Sequence, residues 1–261
     1  MLIDTHAHLD MPQFDNDRED VILRAKQKNI TIINSLISPD KYNDYLNFFE
    51  KFDNLFLTLG LAPVDLEQSR VDLALELIET LSKHDKIAGI GEVGLDYYWV
   101  TDENDRKIEI ENFYKFIELS NKLNLPLIVH SRDAEEDSIE ILKESARMPV
   151  LLHCFSGSSE LATSAASGGF MISIPTNVVY SKKKKRMVES LPIESIVLET
   201  DAPYLSCEPK TRNEPVNIIK SAKEIAQLKK MSFEEVARIT SENARRFFNL
   251  PDHIISRKFN K

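Results

Sequence analysis

At 261 residues, with 42% hydrophobic and 29% charged residues, the chain can bury a sizeable core and is too balanced in composition for a disordered protein. Its net charge of −9 argues against a broad, sequence-independent nucleic-acid binder, though not against an enzyme that grips a short segment through a few local positive groups and metal ions. No apolar stretch approaches the roughly 18 residues that span a bilayer, Met1-Leu2-Ile3-Asp4 shows no secretory signal, and two cysteines, Cys154 and Cys207, fit a reducing cytoplasm without a disulfide.

Strand and helix patterns alternate along the whole chain. Strands are expected at 2–8, 30–37, 55–61, 87–93, 126–131, 149–154, 169–174 and 195–200. After the first, Asp17 to Lys28 sets Val21, Ile22 and Ala25 on one helical face. After the third, Val71 to Lys83 repeats Leu73, Leu77, Ile78 and Leu81 at helical spacing. After the fourth, Glu103 to Asn124 does the same with Ile110, Phe113, Phe116, Ile117 and Leu123. Runs such as Pro126-Leu127-Ile128-Val129 are apolar throughout, as in parallel strands covered by helices. Past the eighth strand, the polar, proline-containing segment Cys207 to Pro215 reads as an active-site loop. Two more helices follow, at about Val216–Lys229 and Ser232–Phe247, the second opened by a Ser-x-x-Glu capping box.

Eight strand–helix alternations without a linker point to an α/β fold. The expectation is a single (β/α)8 TIM-type barrel domain over residues 1–261 with an extra C-terminal helix, an open doubly wound sheet being the structural alternative. No Gly-x-Gly-x-x-Gly follows the first strand and no Walker-type loop occurs, which weighs against a nucleotide cofactor. Neither a membrane nor an obligate protein partner is called for.

Six residues that bind metals well stand at or just past the ends of these apolar runs: His6, His8, Glu92, His130, His153 and Asp201. In a closed barrel, all six converge on one rim. His6-Ala7-His8 places two imidazoles on one side of a strand. Glu92, in the glycine-rich run Gly89 to Asp96, is expected at the end of the fourth strand, where its two oxygens could bridge two ions. A lone strand-end histidine is more often a satisfied core residue than a ligand. His130 and His153, in successive strands facing the same rim, shift the reading to metal. Asp201 completes the set as a ligand and a proton acceptor for the metal-bound water. Glu199, two residues earlier on the same face, competes with it, and Asp201 ranks first because it stands at the rim.

Taken in order, His6-Ala7-His8-Leu9-Asp10, Gly91-Glu92-Val93-Gly94-Leu95-Asp96, Val129-His130-Ser131-Arg132, His153-Cys154-Phe155-Ser156-Gly157, Glu199-Thr200-Asp201-Ala202-Pro203 and Arg212-Asn213-Glu214-Pro215 resemble the TatD family of metal-dependent deoxyribonucleases, one of the amidohydrolase-type metallo-barrels. The likeness covers essentially the whole chain. It implies one ion held by His6, His8, Glu92 and Asp201, a second held by Glu92, His130 and His153, and hydrolysis of DNA phosphodiester bonds, often from a 3′ end. One position departs from the pattern. Where the family commonly reads Gly-Ile-His-Pro after the third strand, this chain has Gly60-Leu61-Ala62-Pro63, so Ala62 replaces a histidine thought to help the substrate phosphate.

The expected cofactors are therefore two divalent ions, Mg2+, Mn2+ or Zn2+, since the mixed imidazole–carboxylate set does not select one. Asp201 and Glu92 are the expected catalytic pair, and a water activated by the ions attacks phosphorus. Arg132 and Arg212 are the candidate phosphate contacts, with salt bridges to Asp133 or Glu214 as the alternative. Tyr97, with Tyr98 and Trp99, could stack on a base or anchor a loop. The run Lys182 to Arg186 could follow a nucleic-acid backbone or simply open a solvated helix. The competing reading keeps the metals and changes the bond, to an ester or amide such as that of aminoacyl-tRNA. No lysine stands at a strand rim to serve as a carbamylated bridge, which favours the nuclease.

Overall fold

The computed structural model describes residues 1–251. Eight parallel strands, β1 (Leu2–Ala7), β2 (Ile30–Leu36), β3 (Leu55–Leu59), β4 (Ile87–Asp96), β5 (Leu127–Arg132), β6 (Val150–Leu152), β7 (Met171–Ile174) and β8 (Ile196–Leu198), pair in chain order. Each is followed by a helix: α1 (Arg18–Gln27), α2 (Tyr42–Phe49), α3 (Gln68–Leu81), α4 (Glu103–Leu123), α5 (Glu135–Ser145), α6 (Ser159–Ser167), α7 (Lys182–Ser190) and α8 (Ile218–Lys229). A further helix, α9 (Phe233–Phe247), comes last. The result is a nearly closed (β/α)8 barrel, so the open-sheet alternative does not hold.

Local chemistry explains the helix boundaries. Asp102 caps α4 by accepting from the amides of Asn104 and Asp105, and Asn124 ends it in the left-handed region at φ 56°. At α9 both halves of the expected capping box form, Ser232 with Glu235. The strands are buried on both faces, as their apolar content requires. Ile30, Ile32, Leu55, Leu57, Leu127, Val129, Ile196 and Leu198 pack outward against the helices.

A second cluster takes one residue from each of seven strands: Ile3, Ile33, Phe56, Ala88, Ile128, Leu151 and Val197. Side chains from so many strands meet only inside the barrel, and this is its floor. Phe247 at the end of α9, with Phe248 and Leu250, packs into the same cluster and closes the lower mouth. Two residues further along five of these strands, the chemistry changes. Ile33 gives way to Ser35, Phe56 to Thr58, Ile128 to His130, Leu151 to His153, and Val197 to Glu199.

The seam between β1 and β8 closes differently from the other strand pairs. Asp4 accepts from the amide and the hydroxyl of Thr200 at 2.8 and 2.6 Å. Above it, the Asp201 amide donates to the His6 carbonyl at 2.9 Å, and the His8 amide to the Ala202 carbonyl at 2.7 Å.

Candidate metal centre

Two irregularities aim the ligands. In regular alternation Ile3 and His6, three apart, face opposite sides of β1. A register shift between Asp4 and Ala7 brings His6 onto the lumen face above Ile3. In β4 the strand outlasts its expected end at residue 93. The strand runs on to Asp96, all ten residues buried, so Glu92 lies inside it and not at its end. A Cβ on Gly91 would stand 2.5 Å from the Ile128 carbonyl oxygen, and one on Gly94 2.0 Å from that of His130. Both glycines hold positive φ, 145° and 140°, so they let β4 lie tight against β5 while the strand continues.

The six residues converge. Nε2 of His6 and His8 stand 3.1 Å apart, and lie 3.2 and 3.3 Å from Glu92 Oε2. The other oxygen, Oε1, faces His130 Nδ1 at 2.7 Å and His153 Nε2 at 3.9 Å. Asp201 Oδ1 is 3.6 Å from His8 Nε2. Three triads, His6–His8–Glu92, Glu92–His130–His153 and His6–His153–Asp201, each hold their ligand atoms within 4.8 Å of one another. The rings of His6 and His153 stack at 3.7 Å. Asp201 reaches this point through a left-handed backbone at φ 55°, which only the surrounding bonds make tolerable for a residue with a Cβ.

The remaining nitrogens are largely committed elsewhere. His8 Nδ1 is 3.0 Å from the Ser35 carbonyl, His153 Nδ1 2.7 Å from Glu199 Oε2, and His130 Nε2 2.9 Å from Asp96 Oδ2. These bonds fix ring orientation and tautomer, the usual work of groups behind a metal ligand. Glu199 and Asp201 differ in where they stand. Glu199 sits fully buried one level down, bonded to His153 and to the Cys154 amide, while Asp201 enters the cluster. Three supporting residues escape a reading of the sequence. Asp96 orients His130, Glu109 of α4 accepts from the Asp96 amide at 2.7 Å, and Ser35 accepts from the Glu92 amide at 2.9 Å. The polar residue two places past most floor residues is the signal that could have found Ser35.

Burial and mutual charge set the protonation of the cluster. Burial, then the neighbouring His153, push His6 down to about 3, so it is neutral. Burial also opposes charge on His8 and His130, but the bonds from Glu92 and Asp96 and the surrounding carboxylates outweigh it, lifting them to about 9 and about 10. Burial would raise Glu92, yet bonds from His130, His6 and His8 hold it well below the usual carboxylate range. Burial raises Asp201 to about 6 against the pull of His153 and His8.

The expected substrate contacts fare unevenly. Arg132 is exposed at the end of β5, its guanidinium 3.7 Å from the Tyr98 ring centroid. Arg212 is held by both oxygens of Asp17 at 2.6 and 2.7 Å and by Glu214 at 2.9 Å, so it ties the loop after β8 to the start of α1. Tyr97 is half-buried, donating to Asp137 at 2.8 Å under the Arg106 guanidinium. The lysine run is mostly structural. Lys183 donates to the Ser156 carbonyl, buried Lys184 to those of Cys154 and Phe155, and Lys185 pairs with Glu224 at 2.6 Å. Ala62 borders a small cavity lined also by Val93, Gly94, Glu109 and Asn112.

Comparison with known proteins agrees with this arrangement. The sequence profile of the family described as TatD related DNase matches residues 3–249. The chain is 40% identical over 259 residues to a Bacillus subtilis protein named uncharacterized metal-dependent hydrolase YabD, covering 96% of this chain and all of that one. It is 35% identical to the human protein named deoxyribonuclease TATDN3, covering 98% and 97% of the two chains. The crystal structure of YjjV, a TatD homolog from Escherichia coli, superposes with a TM-score of 0.86 at 26% identity, covering 96% and 98% of the two chains.

Proposed function

Since the chain belongs to the TatD related DNase family, we propose that it is a divalent-metal-dependent hydrolase whose substrate is DNA, cleaved at its phosphodiester bonds. The observation that carries the reading is Glu92, which presents one carboxylate oxygen to His6 and His8 and the other to His130 and His153. The donor set fits two cations. Imidazole nitrogens and carboxylate oxygens crowd one small volume, and the outer nitrogens of His8, His130 and His153 are already bonded. His6, His8, Glu92 and Asp201 would hold one ion, and Glu92, His130 and His153 the other. Mg2+, Mn2+ and Zn2+ all suit such ligands.

When bound, the ions supply Lewis-acid activation of water and neutralise charge gathering on the phosphoryl oxygens. The protein's own groups do the rest. Asp201, raised to about 6 by burial, is a carboxylate at neutral pH and basic enough to take the proton that the attacking water gives up. Glu199 and Asp96 keep His153 and His130 turned toward Glu92 throughout. Arg132, stacked on Tyr98 two residues beyond His130, is placed to meet a phosphate oxygen. Free thiols at Cys154 and Cys207 support a reducing, cytoplasmic setting for this activity.

The test is digestion of DNA by metal-loaded protein, with metal content measured in parallel. Glu92→Ala and Asp201→Ala should each lose at least about a hundredfold in rate, the upper end of what loss of an outer-shell partner costs. Glu92→Ala should also lose bound metal. Turnover of carboxylic ester or amide substrates with DNA left intact would replace the nuclease reading by the other metal-dependent hydrolase reading.

A further inference from the structure

Two grooves open beside the ligands at the upper ends of the strands, and their chemistry is opposite. The first, about 580 Å3, is reached from His8 through Asp10 and from Asp201 through Tyr204; Met11, Pro12 and Ile37 add apolar walls, and Lys41 stands at its edge. The second, about 590 Å3, lies past His130 and His153 and is bordered by four carboxylates, Asp133, Glu135, Glu136 and Asp137. Its one lysine, Lys183, is turned to the Ser156 carbonyl. Within the Debye length of about 8 Å at physiological salt, four carboxylates repel a phosphate chain.

The first groove has the attributes that the second lacks. Asp10 is buried and takes a bond from the Asn34 amide group at 3.1 Å, which draws its charge inward. Lys41 is exposed and has no ion pair among the described residues. The ring of Tyr204 is 48% exposed, open for contact yet fixed at both ends: its amide donates to the Asp201 carbonyl at 2.7 Å and its hydroxyl meets Met11 Sδ at 3.3 Å. The facing wall is preformed. The Tyr45 hydroxyl donates to the Asp10 carbonyl at 2.7 Å, and Arg18 Nη2 reaches the Asp10 and Met11 carbonyls at 3.4 and 3.3 Å.

We propose that this groove is a nucleotide subsite: the base next to the scissile phosphate stacks on the Tyr204 ring, and Lys41 meets the phosphate that follows. The proposal rests on the DNA-hydrolase reading above. The volume falls in the range of small-ligand pockets, about 300–1,000 Å3. An aromatic face accepts any base, so the subsite positions the strand without reading its sequence. The acidic groove across the cluster keeps the phosphate chain from leaving on that side.

The test compares two substrates of the Mn2+-loaded protein: a short single-stranded oligodeoxynucleotide, and bis(p-nitrophenyl) phosphate, which has no base to stack. Tyr204→Ala should raise KM for the oligonucleotide by about five- to a hundredfold, the range seen when a stacking aromatic is removed. Tyr204→Phe should restore it, and both variants should hydrolyse the small diester within about twofold of wild type. Lys41→Gln should flatten the dependence of log KM on log salt by about 0.7, one phosphate contact on a single strand. An unchanged oligonucleotide KM in Tyr204→Ala overturns the subsite and leaves the nuclease standing. Equal losses on both substrates also overturn it, because Tyr204 then only props the loop of Asp201. Wild-type protein that cleaves the small diester but no oligonucleotide removes the DNA reading and the subsite together.

Discussion

Two to four residues along a strand separate the barrel floor from the candidate metal centre, and the two layers are held by different means. The floor is Ile3, Ile33, Phe56, Ala88, Ile128, Leu151 and Val197 under Phe247 of α9, a packed apolar layer in which each large side chain contributes roughly 1.5–3 kcal/mol by leaving water. The layer above buries His6, His8, Glu92, His153 and Glu199, groups whose desolvation costs stability and is recovered only through their bonds to one another. The same strands thus carry stability at one end and chemistry at the other. A barrel can tolerate a strained, charge-crowded upper layer when its lower layer is dry and plugged.

Substitutions can pull the two layers apart. Phe247→Ala should destabilise the fold by about 3–5 kcal/mol, read as a lower midpoint in denaturant, while activity per folded molecule stays near wild type. A matching loss of specific activity would show that the floor and the centre are one unit. Glu199→Gln works from the other side. It takes the carboxylate from His153 Nδ1 and should weaken metal affinity by about ten- to a hundredfold, measured by metal titration, with little change in the denaturation midpoint.

The smallest effect concerns protons. His8 and His130, lifted to about 9 and about 10 in the absence of metal, hold protons at neutral pH that a cation must displace. Calorimetric metal titrations in buffers of different ionisation heat should report net proton release at pH 7, and affinity should rise with pH. The metal-free fold goes the other way. A histidine whose folded value exceeds its unfolded 6.5 stabilises fully below pH 6.5 and loses that contribution as the pH climbs through 9 to 10. Stability of the metal-free protein should therefore fall in that alkaline window, where the floor, having no titratable group, is indifferent.

Much of this was legible in the residues. Eight apolar runs alternating with helical stretches give the barrel, because both periods are written directly in the pattern of side chains. The six ligand candidates stand out because polar donors closing apolar runs are rare and costly. What the residues hide is register. Nothing in Leu2 to Ala7 announces that β1 slips so that Ile3 and His6 share a face, since the slip depends on pairing with β2. The glycines of β4 suggest a close approach, but that the neighbour is β5 shows only in the fold. Arg212 and the lysine run have the right charge for phosphate, but their partners, Asp17 and the carbonyls of Cys154 to Ser156, come from segments that only folding brings near.

The seam where β1 meets β8 has a consequence for biosynthesis. Asp201 follows His6 by almost two hundred residues in the chain, yet the two meet across that seam. A nascent chain therefore has half a chelate until its last strand emerges and docks.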